Sequence, residues 1–169
     1  MARAKRKKTR RRQPARRAKR RAVATAPATA PRPAAAEATL LELARALSAL
    51  PEAAGAPREA VTRALVALEA AFHPEAALPR ALAQARIGAL GNKTRALALS
   101  WAREQLRLGL ADILERAAAR GELRVALDPE PLAWFVLAAC EALGDEPPQA
   151  APDRIRLLEE WLTGRRDGA

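Results

Sequence analysis

The first acidic residue of the chain is Glu37, and it divides two stretches that cannot fold alike. Residues 1–36 hold 14 Lys and Arg and no acid. Thirteen of these fall within residues 1–21: Arg3, Lys5, Arg6, Lys7, Lys8, Arg10, Arg11, Arg12, Arg16, Arg17, Lys19, Arg20 and Arg21. Like charges at that density repel one another and bury nothing, so the block reads as a disordered basic tail. Residues 22–36, AVATAPATAPRPAAA, read as an Ala/Pro/Thr linker whose spaced prolines favour extended polyproline II. At that extension the linker holds the basic block up to about 45 Å from the remainder of the chain.

That remainder has a different balance. Residues 37–169 contain 16 basic and 19 acidic side chains, a net charge of −3. The whole-chain charge of +11 and the pI near 11.3 therefore belong to the tail. Ala, Leu, Arg and Glu dominate and Tyr is absent, a composition that favours helix. Pro and Gly cut it into segments. The first runs over 37–50 and is expected to stop at Pro51. The second, 57–72, starts at Pro57 and ends at His73-Pro74. The third, 75–90, meets Gly91-Asn92, and the fourth, 93–120, closes on Gly121. A fifth begins after Asp128, and the last runs over 153–163 before Gly164. Strand alternation and internal repeats are missing. The expected architecture is all-α, a bundle of about six helices over 37–169, with the basic tail ahead of it.

Two of these segments carry more information. On a helical wheel of the fourth, Leu97, Trp101 and Leu108 fall on one side and Leu99, Leu106, Leu110, Ile113 and Ala117 nearly opposite. Two apolar stripes predict a helix that runs through the interior. In the fifth, Asp128 suits an N-cap, Pro129 the first helical position and Glu130 the first turn. Beyond them Leu132 to Leu143 is apolar almost all round, with Glu141 its only charge. Such a helix buries more than one face, in part against another subunit.

Catalytic chemistry is poorly supplied. The chain has one His, one Cys, two Ser and no Tyr, with no Gly-rich phosphate loop and no metal-spaced cluster. His73 reads as a helix-end residue and Cys140 as a small core residue. We expect no enzyme activity, no metal and no cofactor. One cysteine cannot form an intrachain disulfide. The longest apolar stretch, PLAWFVLAAC, is about half of the ~20 residues that span a bilayer. No secretory signal is evident, and the serine-free start with almost no apolar face argues against a transit peptide. A bacterial cytoplasmic location, with possible association with the nucleoid, is the expectation, and no membrane partner is expected. The basic tail has the charge density to bind DNA or another polyanion by counterion release without reading sequence. It contains no aromatic residue for stacking on bases. LPEAAGAPREAVTRAL only faintly suggests a helix-turn-helix, with Gly55 in the turn and Arg58 to Leu65 as second helix, because Pro51 and Pro57 crowd it.

From Trp101 onward the sequence WAREQLRLGLADILERAAARGELRVALDPEPLAWFVLAACEALG, followed by PDRIRLLEEWLTG, resembles the C-terminal regulatory domain of TetR-family transcriptional regulators. The likeness covers residues 101–143 best, extends to the last helix and is thin over 37–90. It implies homodimerisation through the last two long helices as a four-helix bundle. Leu132, Phe135, Val136, Ala139 and Leu143 would then meet Ile155, Leu158, Trp161 and Leu162 of both subunits. It further implies an effector cavity among the central helices, lined here by Trp101, Gln105, Leu108 and Trp134 and suited to a small apolar ligand. The family's N-terminal three-helix DNA reader has no counterpart in this sequence. The expected function is thus a TetR-like dimerisation and regulatory domain with an Arg/Lys-rich arm, associated with DNA at low sequence specificity. The alternative is a helical module that senses a small molecule or pairs with a full-length TetR-type regulator, its basic tail incidental.

Overall fold

The computed structural model describes residues 35–124 and 127–164. Six α-helices make up the fold: α1 (Ala35–Ala53), α2 (Pro57–Phe72), α3 (Ala77–Ala89), α4 (Lys93–Ala119), α5 (Pro129–Ala142) and α6 (Ala151–Thr163). Two 3-10 turns, Leu143–Asp145 and Pro148–Ala150, join the last two. No strand occurs among the described residues. The all-α expectation holds, and the basic tail, with most of the linker, lies outside the described residues.

Most boundaries agree with the Pro and Gly signals. Asn92 caps α4 by accepting from the Arg95 N–H at 3.1 Å, and Asp128 caps α5 by accepting from the Glu130 N–H at 3.1 Å. The first helix departs from expectation by running through Pro51 to Ala53. A proline in the last turn removes only one backbone bond, and the next turn still closes, with the Ala54 N–H donating to the Leu50 carbonyl at 2.8 Å. The last helix starts at Ala151, two residues early, with Pro152 in its first turn.

The core is built around one face of α4. Leu106, Leu110, Ile113, Leu114 and Ala117 are buried against Leu40 and Leu47 of α1, Leu65, Leu68 and Phe72 of α2, and Leu132 and Leu137 of α5. Each fully buried Leu or Phe contributes about 1.5–3 kcal/mol relative to exposure. α1 and α4 approach closely because residue 109 is glycine. A Cβ there would lie 3.3 Å from the Ser48 Oγ and 3.4 Å from the Ala44 carbonyl oxygen.

The second stripe of α4 contradicts its expected interior course. Leu97 is 70% exposed, and Trp101 and Leu108 face solvent as well. The buried stripe is enough to anchor the helix against its neighbours, so the opposite side is left as surface.

The turn after α4 organises the far end of the bundle. Gly121 adopts φ +68°, and the Glu122 N–H donates to the Ala117 carbonyl while the Gly121 N–H donates to that of Ala118. This Schellman arrangement requires a left-handed residue, which glycine adopts without penalty. It delivers Glu122 to the start of α2, where the carboxylate accepts from the Arg58 N–H. The α2 N-cap is Ala56, which has no capping side chain, so Glu122 satisfies the helix end from a distance. Arg124 then donates its N–H to the Leu162 carbonyl at 2.7 Å, which ties in α6.

Candidate functional site

α6 is held chiefly by α2 and by the segment after α4. Thr62 donates its hydroxyl to Glu159 at 2.6 Å, and the Arg58 guanidinium donates to the carbonyl and hydroxyl of Thr163, both at 3.3 Å. These contacts occupy one flank of α6 and leave the other open toward α5. Phe135 and Trp161 meet across that gap with ring centroids 5.4 Å apart and planes tilted by 53°. Around them Ala139, Ala142, Leu157 and Leu158 line an open apolar cleft of about 490 Å³, with Glu146 and Arg154 at its rim.

The nine residues expected at a dimer interface therefore separate into two groups. Leu132, Val136 and Leu162 are buried in the chain's own core, and Leu143 and Ile155, also buried, reach the lining of the cleft. On α5, Leu132 and Val136 share the inner side with Leu137 and Cys140, Leu143 is buried in the turn that follows, and on α6 Ile155 and Leu162 share one face. Phe135, Ala139, Leu158 and Trp161 line the same cleft as exposed or half-buried side chains.

The four residues expected to line an effector cavity are not gathered into one. Trp101 and Gln105 line a shallow pocket of about 460 Å³ with Leu41, Ala44, Arg45, Ser48 and Ala49 of α1. Leu108 lies further along the same exposed side of α4. Trp134 is exposed on α5, four residues beyond Glu130 and seven before Glu141, on the flank turned to α4. The outer side of α4 is surface, so no chamber forms around these side chains.

Ion pairs that the sequence did not reveal bind α5 to α4 and to α3. Arg107 is only 8% exposed and meets Glu104 at 2.6 Å and Glu130 at 2.9 Å. Its hydrogen bonds to Glu104 raise the guanidinium's already high pKa and hold the Glu104 carboxyl below the usual carboxylate range. Arg103 grips both oxygens of Glu141, at 2.6 and 3.3 Å, and Arg86 approaches the same carboxylate at 3.5 Å. These three residues edge a cleft of about 350 Å³ between α3, α4 and α5. Glu141, the single charge in the apolar run from Leu132 to Leu143, is the one sequence signal for this cluster. Its two arginines lie 38 and 55 residues away in the chain, where no local pattern connects them.

The remaining candidates are structural. Cys140 is buried, and that burial, with Glu141 and Glu69 as lesser causes, pushes its thiol up to about 12, the opposite of an activated nucleophile. His73 comes directly after the last turn of α2, where its Nδ1 accepts from the Glu75 N–H at 3.3 Å. Ala60, Val61, Ala64 and Leu65 of α2 pack into the core. Among the described residues there is no metal-binding group of His, Cys, Asp or Glu, and no helix is long and apolar enough to cross a membrane. The thirteen basic candidates from Arg3 to Arg21 lie outside the described residues. No family model, curated protein or solved structure matches the chain.

Proposed function

We propose that the chain is a TetR-like regulatory domain that forms a homodimer across the α5–α6 cleft and binds DNA, at low sequence specificity, through one basic arm per subunit. The observation that carries this reading is the cleft itself. Phe135, Leu158 and Trp161 leave a contiguous apolar surface on the two helices that the resembled family uses for pairing. An exposed apolar patch of this kind marks an association surface, and a two-fold axis would place it against its own copy. Two arms on one dimer raise avidity without any new contact. Thirteen basic residues supply the phosphate contacts.

Fluorescence anisotropy of the full chain on duplex DNA across salt concentrations tests the arm. If half of its charges engage phosphates, log K falls against log salt with a slope of about −6 per arm. Removal of residues 1–34 should abolish most of the affinity; affinity that survives the deletion overturns the arm's role. Light scattering of the full chain tests the dimer, and a monomer at micromolar concentration overturns that part. A second reading, small-molecule sensing, is favoured by the charged cleft between α3, α4 and α5.

A further inference from the structure

We infer that the cleft between α3, α4 and α5 binds an amphipathic carboxylate, its apolar tail lying along the α3–α4 hairpin and its head on Arg86. The inference builds on the small-molecule reading and is independent of the arm and the dimer.

The walls and the mouth of the cleft differ in chemistry. Leu40, Leu82, Ala89, Leu90, Ala96 and Leu99 form an apolar wall, while Arg86, Ser100, Arg103 and Glu141 supply its polar groups. A volume of about 350 Å³ lies at the lower end of the range for small-molecule sites, roughly 300–1,000 Å³. Leu90 is 80% exposed and lines the wall, so an occupying tail would remove a large leucine from water.

The head group is dictated by the charge arrangement. Glu141 is nearly saturated by Arg103, which engages both carboxylate oxygens and leaves Arg86 one contact at 3.5 Å. The Arg86 side chain is 60% exposed and has no other ion pair among the described residues. A guanidinium carries five N–H donors in a planar fork, so Arg86 keeps a free edge suited to a carboxylate. Ser100 adds a hydroxyl without a hydrogen-bond partner among the described residues. Glu104, the other acid near Arg103, is taken up by Arg107 at 2.6 Å and does not compete for Arg86. One available cation beside an apolar trough matches a monoanion with a straight tail better than a phosphate, which calls for several donors and more positive charge.

Calorimetric titration of the full chain with decanoate, in the absence of DNA, tests the site, with decanol as the uncharged analogue. Saturable binding of one decanoate per subunit is expected. Arg86→Gln should weaken it about tenfold, the scale of losing one charge-assisted interaction. Leu90→Gln, at an exposed position that leaves the core intact, should also weaken it, and Arg116→Gln, in an exposed pair with Asp112 elsewhere on α4, should not. Decanol binding as tightly as decanoate, Arg86→Gln binding as well as the parent, or no saturable binding would each overturn the inference. These outcomes leave the DNA and light-scattering results untouched, so this site and the dimeric arm reading fail separately.

Discussion

The seam between α1 and α4 and the seam between α5 and α6 are built from opposite materials. At the first, Gly109 lets the α1 backbone approach to ordinary contact distance, and Ala44 and Ser48 fill the space it leaves. At the second, two aromatic rings meet and a cleft opens beside them. Small residues let helices close on each other and expel everything between them. Large rings bridge a gap without filling it, and the gap is left as apolar surface exposed to water. The contrast separates the part of the molecule that holds the fold from the part with apolar surface left for a partner.

That contrast can be broken by substitution. Leu110→Ala, at a fully buried site on the closed side, should cost about 2–5 kcal/mol in urea unfolding. Arg107→Ala should cost about 1.5–3 kcal/mol, since it removes hydrogen bonds between charged groups at a buried position. The same pair has a pH signature. The lowered Glu104 pKa contributes stability above the unfolded carboxylate value, about 4.3, and that contribution is lost as the pH falls below it. It is absent in Arg107→Ala, so acid titrations of the two proteins should converge; the exposure of Glu104 keeps the effect small. Gly109→Leu should cost about 1–3 kcal/mol by forcing α1 and α4 apart. Phe135→Ser with Trp161→Ser on the open side, which removes two half-exposed rings and their mutual contact, should cost about 1–3 kcal/mol of subunit stability. This double variant should also turn a dimer into a monomer in light scattering. A larger loss of subunit stability, or an unchanged mass, would erase the distinction between the two seams.

The sequence marked the helices well because local chemistry ends them. Gly91, Gly121 and Gly164 lie just past helix ends at positive φ, and Asn92 and Asp128 cap the helices that come after them. Pro51 misled because a proline's effect depends on how many turns remain beyond it. The two stripes of α4 misled for a different reason. A wheel says which side chains share a face, whereas which face is covered depends on how many other helices reach it. The same limit applies to α5 and α6, where a wheel does not tell fully buried Leu132 from half-exposed Phe135. Arg86 and Arg103 were out of reach altogether, since only the fold brings α3, α4 and α5 to a common edge.

The three tryptophans have an optical consequence. Trp101, Trp134 and Trp161 are all partly exposed, each on a different helix, and the chain has no tyrosine. Ultraviolet emission from this protein therefore comes almost wholly from its periphery. Unfolding the core should shift that emission little, whereas covering the α5–α6 cleft should move the Trp161 component to the blue. Light emitted by this molecule gauges its company more than its integrity.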